Sequence, residues 1–197
     1  MDDEIKTAGQ IAMEKISSIG EATEEDRLKW KYVPEGEKLA TKYFNENISL
    51  ETELGKFDKK ARSYLAQGME IVLLVNIDLP KNDNIKAKNE KAISALKVIK
   101  KDKAALADVF DDMTRIFEHF TGQGDQQRKQ AYENLKIEFK GQLQKALEKQ
   151  MGSVASVDLN VEKLPQFQEE WRRMQAQMDG QYLSLLDEYK REIKAIK

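Results

Sequence analysis

The chain has 197 residues, 40% of them hydrophobic, with 33 Lys+Arg against 35 Asp+Glu and no cysteine. A formal charge of -2 gives no global pull towards nucleic acid or acidic membranes, and the lack of cysteine excludes disulfides, thiolate nucleophiles and cysteine-zinc sites. Three prolines and ten glycines are few for an all-β chain, which needs a turn every ~8–12 residues.

No apolar run approaches the roughly 18 residues of a membrane span. The opening Met1-Asp2-Asp3-Glu4 is acidic where a secretory signal is basic, so the cytoplasm is the expected compartment.

Residues 1–20 predict a helix, with Ile5, Ala8, Ala12, Ile16 and Ile19 at three- and four-residue spacing behind an acidic start. Thr23 offers an N-cap to a short helix opened by Glu24, Glu25 and Asp26. Pro34 predicts a break and then the first turn of a helix carrying Leu39, Ala40, Tyr43 and Phe44. Between them, Arg27 to Tyr32 interleaves bases with aromatics. Six residues are too few for a single-strand nucleic-acid platform, so Trp30 and Tyr32 are expected to anchor an extended connector while the lysines stay in water.

Ser49 caps a helix whose Leu50, Leu54, Phe57, Ala61, Tyr64, Gly68, Ile71 and Val75 follow a 4-3 heptad seam. Its end, Met69 to Ile77, is apolar on all sides and expected to be buried all round. After the Asp78–Asp83 turn, Ile85, Ala92, Ile99, Leu106, Met113 and Phe120 recur every seven residues. Asn89, Leu96, Lys103, Phe110 and Phe117 do the same in between. One unbroken phase predicts a single helix over 85–120, about 55 Å long, although Asp102 would cap a second one.

Thr121 to Asp125 predicts a turn with Asp125 as N-cap, followed by a helix carrying Tyr132, Leu135, Phe139, Leu143, Leu147 and Met151. Residues 152–164 predict a loop, and Pro165 opens the last helix. There Phe167, Trp171 and Met174, then Met178, Tyr182 and Leu185, then Tyr189, Ile193 and Ile196 predict an 11-residue repeat. The expected fold is all-α: an antiparallel bundle of about four long helices (49–197), with short N-terminal helices (1–48) packed on it.

Chemistry-bearing motifs are sparse. His119 is the only histidine and stands in no Glu-x-x-His pair, so a di-metal carboxylate bundle is not indicated. Asp108, Asp111, Asp112 and Glu118 read as solvated helix surface, with no loop to gather them around a cation. Gly-x-Ser-x-Gly and phosphate-loop patterns are absent. No cofactor, metal or catalytic role is therefore expected.

The best case for nucleic acid is Lys86 to Lys103, seven lysines against Glu90 and Asp102. On a continuous helix Lys86, Lys97, Lys100 and Lys101 share an arc of about 100°, a candidate contact for phosphates or a protein partner. The first expectation is a structural or interaction protein that self-associates or docks a partner helix. Asn89 and Lys103 at seam positions are candidates to set register or partner number. The alternatives are a nucleic-acid-associated protein using the lysine stripe, or an enzyme whose pocket carries no sequence signature.

Glu4-Ile5-Lys6-Thr7-Ala8 through Ala12-Met13-Glu14-Lys15, followed by Trp30-Lys31-Tyr32-Val33-Pro34-Glu35-Gly36-Glu37, resembles a family of uncharacterised prokaryotic helical proteins. The resemblance is sharp over the first quarter. It implies a helical fold and no particular activity.

Overall fold

A computed structural model describes residues 22–46, 48–151 and 160–197, and every regular element in them is a helix. In order these are α1 (Glu24–Glu46), α2 (Leu50–Gly55), α3 (Lys59–Val75), α4 (Asp83–Ile99), α5 (Lys103–Thr121), α6 (Gln123–Met151), a 3-10 turn (Val161–Lys163) and α7 (Pro165–Ala195). The expected helix over 1–20 lies outside the described residues. The chain divides into two compact units, Met1–Leu73 and Leu74–Lys197.

In the first unit, Thr23 caps α1 as its sequence predicts. The Asp26 amide donates to its hydroxyl at 3.1 Å, and the Asp26 carboxylate accepts from the Thr23 amide in return. The break expected at Pro34 does not occur, because α1 runs through it. Pro34 and Trp30, one turn earlier, are both exposed. The carbonyl that the proline cannot bond therefore stands on the wet side of the helix.

Inside the unit, α1 and α3 cross with their backbones almost touching. A Cβ on Gly36 would stand 2.1 Å from the Leu65 carbonyl oxygen, and one on Gly68 would stand 1.9 Å from that of Val33. Tyr32 meets Phe57 edge-on at 6.0 Å, but Trp30 is 67% exposed and anchors nothing among the described residues.

The heptad helix expected from Ser49 onward is two helices. Ser49 does cap the first, accepting from the Thr52 amide. Asp58 then caps a second start, accepting from Ala61 at 2.9 Å. In α3 the buried set leaves the predicted seam for Ala61, Leu65, Met69 and Leu73. Ile71 and Val75 are left exposed, Val75 by 75%, so this end is not buried all round.

The second unit is a long helical hairpin with α4 joined to one end. Lys100 meets Ile196, His119 meets Tyr182, Arg128 meets Asp179, Tyr132 meets Trp171 and Phe139 meets Phe167. Each step up through α5 and α6 is matched by a step down α7. The two helices thus form one arm, interrupted only at Gly122, with α7 antiparallel to both. The turn expected at 121–125 does not reverse the chain, and Asp125 lies inside α6, held by Lys129 at 2.7 Å.

Leu135, Val161 and Phe167 form a core at the far end, covered by Tyr132, Phe139, Leu143 and Trp171. Along α7 the buried stripe departs from the 11-residue pattern in its middle set, where Asp179 is buried rather than Met178. Leu186 is buried and Leu185 exposed, which puts Asp179, Leu186 and Ile193 on a seven-residue spacing suited to a left-handed two-helix pairing.

The single helix expected over 85–120 is broken at 100–102, although the burial phase survives the break. Asp102 caps α5, accepting from Ala105 at 3.0 Å. The Lys103 ammonium satisfies the Lys100 carbonyl at 2.6 Å and also reaches that of Lys97. The Lys101 and Asp102 amides donate to the backbone oxygen of Lys197, and Lys100 Nζ donates to the Ile196 carbonyl at 2.6 Å. With these backbone groups satisfied, the interruption carries little penalty. Among the described residues no helix is long and apolar enough to cross a membrane.

Candidate functional site

The richest side-chain cluster lies where α5 meets α6, against the middle of α7 and the segment before α4. Arg128, in the second turn of α6, bridges the interruption at Gly122. Its guanidinium stacks over Phe120, 4.1 Å from the ring centre, and Nη2 donates to the Phe120 carbonyl at 2.9 Å. That carbonyl belongs to the end of α5, where helix carbonyls lack partners. Gly124 keeps the corner open, since a Cβ there would stand 2.9 Å from the Tyr182 hydroxyl.

Asp179 reaches the cluster from α7. It is 7% exposed, with Oδ2 at 2.9 Å from Lys81 Nζ and Oδ1 at 3.7 Å from Arg128 Nη1. Around them opens a cleft of about 630 Å³, lined also by Pro80, Asp125, Arg172 and Gln175. Lys129 neutralises Asp125 and, with Arg128, holds its carboxyl below the ordinary range through a hydrogen bond and the nearby charges. Three cations, Lys81, Arg128 and Arg172, thus line the cleft with two carboxylates, Asp125 and Asp179, the latter paired with Lys81 and Arg128.

A second, smaller groove of about 340 Å³ runs beside the α5–α7 seam. Ile116, Tyr182, Leu185 and Tyr189 floor it, and Asp112 with Arg115, paired at 2.9 Å, stands at its rim. His119 is exposed and shares a 2.8 Å hydrogen bond between Nδ1 and the Tyr182 hydroxyl, beside the seam and near a helix end as its position predicts. Asp108, Asp111 and Glu118 are exposed helix surface.

The four lysines of the expected stripe do not share a face. Lys86 and Lys97 are exposed on α4, with Lys97 Nζ 5.7 Å from the Phe110 ring centre. The helix stops at Ile99, so the wheel that aligned Lys100 and Lys101 with them ends there. Lys100 is buried against the Ile196 carbonyl, and only Lys101 remains exposed in the break.

The two polar seam residues are committed inside the unit as well. Asn89 is buried and clamps the turn before α4, accepting from the Asp78 amide at 3.0 Å and donating to its carbonyl at 2.6 Å. Lys103 closes the end of α4 as described above. Sequence reasoning did not single out Lys81, Arg128, Arg172 or Asp179. The one available signal was an aspartate seven residues before Leu186, on the line that leads to Ile193.

Comparison with known proteins adds the family. A model described as a family of unknown function, DUF6657, matches residues 51–195. The chain belongs to DUF6657. The match includes both the cleft and the groove, and it lies downstream of the opening quarter that carries the sequence resemblance. No curated protein and no solved structure matches the chain.

Proposed function

We propose that this DUF6657 protein acts by association rather than catalysis, as a cytoplasmic helical protein whose hairpin pairs with that of a second copy. The observation that carries this reading is the open side of the α5–α7 seam. Two antiparallel helices have a seam with two sides, and here one side keeps apolar floor in solvent, with Leu185 41% exposed beside Ile116 and Tyr189.

A second hairpin laid across that groove makes a four-helix bundle, the standard way for such an arm to complete its core. A two-fold contact brings a patch onto itself, so the patch must be self-complementary. This one has an apolar floor and both signs of charge at its rim, in Asp112 and Arg115. Equilibrium sedimentation tests the reading. A mass rising to that of a dimer with concentration is expected, and a monomeric mass at every concentration sinks it.

A further inference from the structure

The Arg128–Asp179 cleft is separate from that groove, and its chemistry points to a small ligand. Asp179 Oδ1 has no hydrogen-bond donor among the described residues, and neither does Arg128 Nη1 have an acceptor. The two atoms stand 3.7 Å apart, whereas a charge-assisted hydrogen bond made for structure alone closes to about 2.7–2.9 Å. The Asp179 side chain is more than nine-tenths buried, so bulk water does not make up the deficit freely. An acceptor and a donor held side by side and unsatisfied are complementary to a group that both donates and accepts from neighbouring atoms.

We propose that the cleft binds a protonated phosphate group, either as inorganic phosphate or at the end of a small phosphate ester. Its P–OH donates to Asp179 Oδ1, and its anionic oxygens accept from Arg128 Nη1 and from Arg172, which also lines the cleft. Lys81 stays on Asp179 Oδ2 and leaves Oδ1 as the acceptor. The cations at the cleft outnumber the carboxylates, as an anion requires. A volume of about 630 Å³ falls in the range of small-molecule sites and leaves room for an ester beyond the phosphate itself. A carboxylate ligand at neutral pH brings no proton for Asp179, and sulfate brings none either.

Titration calorimetry on the full chain at neutral pH, with inorganic phosphate, sulfate and glycerol phosphate as separate probes, tests this. Saturable binding of phosphate, or of the ester, is expected at up to about 10 mM, with sulfate at least about tenfold weaker. Tighter binding of the ester would identify an ester as the source, and tighter binding of phosphate the free ion. Arg172→Gln, at an exposed position, is expected to weaken binding about tenfold, and Asp179→Asn to erase the preference over sulfate. Absence of saturable heat with both phosphate probes overturns the proposal. So does sulfate binding as tightly as phosphate, or Arg172→Gln binding unchanged. The Arg172 variant keeps the test decisive should the Asp179 variant fail to fold.

Discussion

Single residues decide how closely the helices of each unit approach. Gly36 and Gly68 admit backbone where any other residue would place a Cβ, and at Gly68 that Cβ would lie 1.9 Å from a carbonyl oxygen. Relief requires the two helix axes to separate, which costs more than moving one side chain. Gly68→Ala is therefore expected to destabilise the protein by about 3 kcal/mol, the upper range for overpacking. Gly180, in α7 with open space around it, is the control. Gly180→Ala should stabilise by about 0.5–1 kcal/mol through helix propensity. Urea unfolding curves of the two variants check both signs.

Titration acts at the same scale. Lys136 on α6 and Glu162 before α7 pair at 2.5 Å, and this hydrogen bond holds the Glu162 carboxyl below its ordinary range and the Lys136 ammonium above its own. A depressed carboxyl gives stability that is present above its unfolded pKa and lost as pH falls through the folded one. A raised lysine gives stability that is present below its unfolded pKa and lost as pH rises through the folded one. Burial of the Tyr132 ring, with the Glu162 charge beside it, raises the tyrosine hydroxyl and so adds to the alkaline loss. The unfolding midpoint should thus fall on both sides of neutrality. Glu162→Gln should flatten the acid limb below about pH 4, as midpoints measured across that range would show.

At the scale of elements, the sequence shows most clearly where helices are and least clearly where they stop. Period located the helices from Leu50 onward, and Thr23, Ser49 and Pro165 marked three of the starts correctly, but the connector expected over 28–33 is part of α1. The two missed breaks, at 56–58 and at 100–102, share one cause. Phase continuity was taken to mean backbone continuity, yet across 100–102 the buried set stays in phase while the chain interrupts itself. Asp102 announces the break, but what secures it is Lys103 and the backbone of residues 196–197, the latter some ninety residues distant. The cleft was illegible for a related reason, since Lys81, Arg128, Arg172 and Asp179 come from three separate stretches and match no local spacing.

Two substitutions test these element boundaries. Asp102→Ala removes a cap and should cost about 1 kcal/mol. Pro34→Ala restores a missing backbone donor inside α1 on its exposed face, and should stabilise by about 1–3 kcal/mol with a gain in helical circular dichroism. A loss of stability on Pro34→Ala would show that the proline sets a bend on which the α1–α3 crossing depends.

For the whole molecule, the question is what completes a hairpin that leaves one side of its seam in water. Asn89 and Lys103, the polar seam residues that suggested a device for choosing partners, bond instead to backbone within their own unit. In the proposed pairing, partner choice rests on the apolar floor and its rim, and Leu185 is the most exposed apolar side chain of that floor. Its burial in a second copy would contribute about 1.5–3 kcal/mol per subunit at most, and a two-fold contact uses it twice. Leu185→Glu should therefore weaken dimerisation by a hundredfold or more, on the order of 3 kcal/mol. It should barely change the stability of the isolated chain, because the side chain already stands in solvent. Sedimentation of the variant beside the parent, with thermal unfolding of both at low concentration, separates the two effects. A variant that unfolds early would mean that Leu185 serves its own hairpin. One that folds normally yet remains dimeric would move the contact to another face.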